Sequence, residues 1–179
     1  MKRENGFTLT ELLIAMIISS VVIAAIYSAY LTQRRSYQRT EEITTVQQNL
    51  RAAMYYMARE IRMAGYDPTG SNLFGFTNAT SNSISFTMDE DENGVFSGAT
   101  ETVSYHYDAP ENTLERNDGG GFRDVAENIS GLNFVYYDQN GNETTIADEI
   151  RSVDITLSAS YGTHSRELTS NILCRNMGL

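Results

Sequence analysis

The densest set of metal-type ligands in this chain lies in DEDENGVFSGATE, residues 89–101. Asp89, Asp91 and Asn93 stand at alternate positions ahead of Gly94. An EF-hand loop begins in that order, with three oxygen side chains and then a glycine for the sharp turn. The second half departs from the pattern, because Thr100 holds the twelfth position, where a bidentate Glu belongs, and Glu101 comes one residue late. Two readings stay open: a calcium site on Asp89, Asp91 and Asn93, or a solvated acidic turn between strands. Glu11 stands out for its isolation instead. It is the one formal charge among the 24 residues from Phe7 to Tyr30. A charge at the centre of a bilayer helix costs about 2.5 to 3.5 kcal/mol on insertion scales and less near an end, so an acid kept in such a run is a candidate for function.

Catalysis finds little to work with. It needs a nucleophile and a base brought together, and the candidates His106, His164 and Cys174 have no flanking motif that unites them. His106 lies in a strand-like run and reads as a sheet-face residue, His164 as a surface residue near a turn, and Cys174, beside Leu173, as a buried thiol. The glycines at 119–121 match neither GxGxxG nor a loop ending in GK[ST], so no nucleotide cradle is expected. The one lysine, Lys2, precedes the apolar run. No enzyme is expected from this set. Tyr55, Tyr56, Tyr105, Tyr107, Tyr136, Tyr137 and Tyr161 are expected to pack rather than to form a ligand-binding surface. A single cysteine excludes an internal disulfide.

Charge separates along the chain. Residues 31–63 hold six Arg against three Glu, whereas residues 67–179 hold five Arg against 18 acids. So acidic a C-terminal portion speaks against nucleic acid, whose phosphates are neutralised by Lys and Arg.

The elements that carry these groups follow from the apolar pattern. Phe7 to Tyr30 is long enough, as a helix of about 36 Å, to cross a ~30 Å hydrocarbon core. Lys2 and Arg3 favour a cytoplasmic N-terminus, and Arg34, Arg35 and Arg39 on the far side weaken that preference. An ordinary signal-peptide cut after the run is not expected, since bulky Ile26 and Tyr27 interrupt the small residues of AAIYSAY. A small residue, Gly6, sits before the run instead, and a cut there leaves the whole helix on the product. With no Pro or Gly from Phe7 to Ala64, one helix of 58 residues is expected, about 87 Å long. Ile43, Val46, Leu50, Met54, Met57, Ile61 and Ala64 put an apolar stripe on its C-terminal half. Gly65 reads as its C-cap and Pro68 as a stop. SISFTM, ETVSYHY, LNFVYYD, SVDITLSAS and RELTSNIL read as strands, with an Asn140-Gly141 hairpin turn between the third and fourth. GGGFRDVAENISG reads as a turn followed by a short helix or loop. The expected fold class is α+β: an antiparallel sheet laid on the C-terminal half of a long helix.

NGFTLTELLIAM resembles the class III signal of type IV prepilins and pseudopilins, in which a short basic leader ends in Gly and is followed by Phe-Thr-Leu-x-Glu. LRAAMYYMAREIRMAGYDP, ETVSYHYD, TLER, NISGLNFVYYDQNG, IRSVDITL and RNMGL fall in the order of PilW-like minor pilins, to which pseudopilin J of type II secretion is related. The resemblance implies a pilin fold and four segments: leader 1–6, transmembrane and assembly helix 7–30, amphipathic neck helix 31–65 and antiparallel β head 66–179. It implies cleavage between Gly6 and Phe7 by prepilin peptidase, which also N-methylates Phe7, and an assembly role in which Glu11 pairs with the ammonium at Phe7 of a neighbouring subunit. The implied setting is the bacterial inner membrane, crossed once with the head in the periplasm, and then the pilus. The implied partners are prepilin peptidase, other minor pilins and the major pilin, with a role in priming assembly or capping the tip. A pseudopilin of type II secretion or DNA uptake shares every N-terminal feature, and a tip-borne adhesin is a further alternative. The disulfide-bounded C-terminal loop of many major pilins cannot form here, which fits a minor subunit.

Overall fold

The computed structural model describes residues 6–178. The leader expected at 1–6 therefore lies outside the described residues except for Gly6. Helix α1 runs from Leu9 to Ile61 without interruption, starting two residues later and ending three residues earlier than the 58-residue expectation. The late start has a capping cause, described below. At the other end the chain tightens. Met63 donates to the Glu60 carbonyl at 2.8 Å and Ala64 to the Ile61 carbonyl at 3.1 Å, three-residue spacings that narrow the last turn. Gly65 follows at φ 74°, in the left-handed region glycine favours. Its N–H leaves the helix and bonds the Thr87 carbonyl at 3.0 Å.

The segment up to Glu41 and the body from Glu42 onward are separate compact units. In the first, every residue from 6 to 30 is exposed, and α1 there is apolar enough to cross a membrane by length and composition. Its hydroxyls are turned inward on the backbone: Ser20 donates to the Ile17 carbonyl at 2.7 Å and Thr32 to the Ser28 carbonyl at 3.0 Å. A hydroxyl satisfied in this way leaves an outer surface suited to lipid.

The second unit is two antiparallel sheets, where the sequence suggested one. Strands β1 (Phe76–Ala79), β2 (Ser83–Thr87), β3 (Thr102–Asp108), β4 (Thr113–Asn117) and β5 (Phe122–Ala126) form a five-stranded meander. Strands β6 (Ile129–Tyr137), β7 (Ser152–Tyr161) and β8 (His164–Leu173) form a second sheet in that order. Three of these strands were not expected. β5 occupies the stretch read as a helix or loop, and Glu115 pairs with Asp124 and Arg116 with Arg123. Its residues 122–124 are exposed, so it lacks the apolar alternation that betrays a strand. β1 and β4 are short, at four and five residues. The Asn140-Gly141 turn is present, closed by Asp138, whose carboxylate accepts from the Asn140 and Asn142 N–H groups at 2.8 and 2.9 Å. It does not lead directly into β7. The chain runs on through a short 3₁₀ turn, Ala147–Glu149, before that strand begins.

One core joins α1 to both sheets. The helix contributes Val46, Leu50, Ala53, Met54, Met57 and Ile61, followed by Ala64. This is the expected stripe with Ala53 added, and Ile43 is only half-buried. The meander contributes Phe76, Ile84, Phe86, Val103, Tyr105 and Leu114, and the second sheet Ile129, Phe134, Tyr136, Val153, Ile155 and Leu157. The sheets are tied at the β1–β2 turn. The Phe134 N–H donates to the Ser81 carbonyl at 2.8 Å and the Tyr136 hydroxyl to the Thr80 carbonyl at 2.7 Å. Phe76 packs edge-to-face on Phe86 and on Tyr136.

A polar clamp fixes the helix to the meander. Glu60 accepts from the Tyr105 hydroxyl at 2.5 Å and from two Arg116 nitrogens at 2.9 Å each. Arg116 also pairs with Asp118. Its two bonds to Glu60 are the bidentate geometry in which Arg–carboxylate pairs are strongest.

Two outcomes test this arrangement. Leu50→Ala is expected to destabilise the protein by about 2 to 5 kcal/mol through the cavity it leaves, whereas exposed Tyr55→Ala stays within about 0.5 kcal/mol; chemical denaturation in detergent measures both. Burial and the bond to Glu60 keep the Tyr105 hydroxyl protonated well above the usual tyrosine range. In the unfolded chain tyrosine ionises near pH ~10, so above that pH the unfolded state sheds a proton that the folded state keeps, and stability falls as pH rises. Tyr105→Phe is expected to flatten part of that alkaline loss in denaturation curves recorded on either side of the tyrosine range.

Candidate functional site

Gly6, Phe7 and Thr8 precede the helix in non-helical backbone. Thr8 is the residue that caps it. The Glu11 N–H donates to Thr8 Oγ1 at 3.3 Å, while Glu11 Oε2 accepts from the Thr8 N–H at 2.9 Å and from its hydroxyl at 2.8 Å. This is a reciprocal capping box, Thr-x-x-Glu, which satisfies two of the donors that a helix start leaves open. The sequence contained the signal, since Thr8-Leu9-Thr10-Glu11 fits the pattern. Starting the helix at Phe7 hid it. Both bonds from Thr8 fall on Oε2, and Oε1 accepts none among the described residues. Among the described residues the carboxylate is thus half-satisfied, with Oε1 accepting no bond.

The acidic loop between β2 and β3 closes differently from an EF-hand. Because Thr87 pairs with Thr102 and the Met88 N–H reaches the Glu101 carbonyl at 3.1 Å, the hairpin brings Glu101 back beside Asp89. Asp89, Asp91 and Glu101 each offer a carboxylate oxygen within 4.8 Å of the other two. Asn93 borders them. Its side-chain oxygen accepts from the Val95 N–H at 2.6 Å and its amide nitrogen donates to Asp91 at 2.7 Å. Glu101 is added to the residues that sequence spacing offered, and the cross-strand register that puts it there is invisible to a count along the loop. Asp89 is fully buried, its oxygens accepting from the Asn93 and Gly94 N–H groups at 3.1 and 2.9 Å. Glu101 is 3% exposed; its Oε2 accepts from the Ser97 N–H at 2.6 Å, and its Oε1 is buried with no partner. Like charges at such separations repel by about 3 kcal/mol per pair at an effective dielectric of about 20.

The loop is moored to the helix exit. The Asp89 N–H donates to the Tyr66 carbonyl at 2.8 Å, and the Tyr66 hydroxyl to Glu92 at 3.1 Å. That hydroxyl is held above the usual tyrosine range, first by its bond to Glu92 and also by the charge of Asp89.

The remaining candidates are dispersed. His106 Nδ1 lies 3.4 Å from Glu115 on β4, with its ring edge-to-face on Phe122. His164 opens β8, with Nε2 4.0 Å from Glu42. Cys174 is buried in the core, and burial pushes its thiol up to about 12. Among the described residues none of these three bonds to another. Of the tyrosines, Tyr105 and Tyr136 are buried as expected. Tyr55, Tyr56 and Tyr161 are exposed instead, the first two forming an edge-to-face pair on the outer side of α1.

Residues 39–173 match the family described as prepilin peptidase-dependent protein B. Residues 1–27 match the prokaryotic N-terminal methylation motif. No curated protein matches the chain.

The capping box yields an outcome of its own. Thr8→Ala removes the acceptor of the Glu11 N–H and is expected to loosen the first turn by about 0.5 to 2 kcal/mol. Faster amide exchange at Glu11, with Val46 to Ile61 unchanged, is the expected pattern in micelles.

Proposed function

Because the chain belongs to the prepilin peptidase-dependent protein B family, and so to the type IV pilin-like proteins that prepilin peptidase processes, we propose that it is a minor pilin of a type IV pilus. In this reading the peptidase cuts between Gly6 and Phe7 and methylates Phe7. The helix 7–30 holds the product in the inner membrane with its head in the periplasm until it joins other minor pilins and the major pilin, where it primes assembly or caps the tip. One observation carries the reading. A helix begins two residues after Phe7, is apolar and exposed as far as Tyr30, and has a single acid in its first turn.

The geometry supports a two-stage use of Glu11. In the membrane, its bonds from Thr8 reduce the cost of holding a carboxylate at the helix start. In a filament, Oε1 accepts the ammonium of a neighbouring Phe7. Two charges in a water-poor centre are costly apart and favourable together, so the pair selects the axial register in which they meet.

Mass spectrometry of the mature protein is expected to show an N-terminus at methylated Phe7, and any other start overturns the reading. Glu11→Ala is expected to insert and be processed normally but to fall to a small fraction of wild-type incorporation into sheared pili. Glu11→Ala incorporated as well as the parent would refute the pairing and leave the processing intact.

A further inference from the structure

The β2–β3 loop gathers negative charge without supplying a counterion. Among the described residues no Arg, Lys or His pairs with Asp89, Asp91 or Glu101. Two of these carboxylates are buried. A second observation is independent of the clustering: Glu101 Oε1 is a buried oxygen with no hydrogen-bond partner on a side chain only 3% exposed. An orphaned buried carboxylate oxygen is costly, and native structures rarely keep one without an ion, a water or a function to explain it. Asp89 and Asp91 each bring a carboxylate oxygen within 4.8 Å of one of Glu101's.

We propose that Asp89, Asp91 and Glu101 bind one divalent cation, calcium in preference to magnesium. The hard oxygen set suits either ion. The scaffold suits calcium, which tolerates irregular geometry and takes six to eight oxygens, whereas magnesium demands a near-ideal octahedron. Backbone N–H groups of Asn93, Gly94 and Ser97 already hold all three carboxylates in place, so little ordering is left to the ion. Asp91 is exposed and forms the open side, where water completes the shell. Since Asp89 is bonded to the Tyr66 backbone, a bound ion stiffens the point where the chain leaves the helix for the head. The proposal does not depend on the assembly reading.

The test is a calorimetric titration of the full chain in detergent with calcium chloride, paired with melting curves in calcium and in EDTA. Expected are one ion per chain at a Kd of about 0.1 to 1 mM, the range of extracellular modules, and a higher Tm in calcium. Asp91→Asn is expected to weaken binding about tenfold or more, and Glu101→Gln to abolish it. Glu111→Gln, an exposed acid on the β3–β4 turn, binds as the parent does. If Glu101→Gln does not fold, Asp91→Asn still decides, because its side chain is exposed. Absence of both heat and a Tm difference overturns the site, as does unchanged affinity in Asp91→Asn. Equal binding of magnesium overturns the choice of calcium.

Discussion

Both sheets of the head close on one stripe of α1, and the fold depends on that shared surface. The buried helical positions from Val46 to Ile61, with Ala64 just after them, belong to the same core as the inner residues of the meander and of β6–β7. A three-stranded and a five-stranded sheet this small have little apolar area of their own. Each needs a cover, and the helix is common to both. Glu60 adds direction to this otherwise greasy contact. By taking Tyr105 and Arg116 together it fixes which turn of the helix faces which strand, a registration that apolar packing alone leaves loosely defined.

The same helix has two solvents. Up to Tyr30 its side chains are apolar and uncovered; from Val46 the apolar positions narrow to a face. Between them lies a polar, arginine-bearing stretch that suits neither a lipid interior nor a protein core. The chain's division near Glu41 falls in that stretch. One element thus carries an exposed apolar stretch and a core-packing face with no break in its hydrogen-bonded backbone, because what changes along it is the pattern of side chains.

How much of this was legible depended on how local the signal was. Strands β2, β3, β6 and β7 announced themselves because their apolar positions alternate, as in the burial of β7. β5 did not, because its exposed, charged start reads like a loop and its pairing with β4 is the only thing that makes it a strand. The division into two sheets was likewise a matter of pairing, which no window along the chain contains. At the candidate sites the contrast is sharper. The capping box of Thr8 and Glu11 is a four-residue pattern present in the sequence. The meeting of Glu101 with Asp89 required the cross-strand register of Thr87 and Thr102, which a loop template applied residue by residue does not contain. Tyr55 and Tyr56 misled in another way, since an aromatic pair can satisfy itself on a surface without entering a core.

Cys174 follows β8, and its N–H is bonded to the Arg151 carbonyl at 2.9 Å. The folded head hides this thiol and keeps it protonated, and a protonated, inaccessible sulfur neither attacks nor is attacked. In an oxidising compartment the lone cysteine of a partly folded chain would cross-link to whatever other thiol it met. Packing of the core around Cys174 removes that hazard, so the redox silence of this thiol depends on the fold being intact.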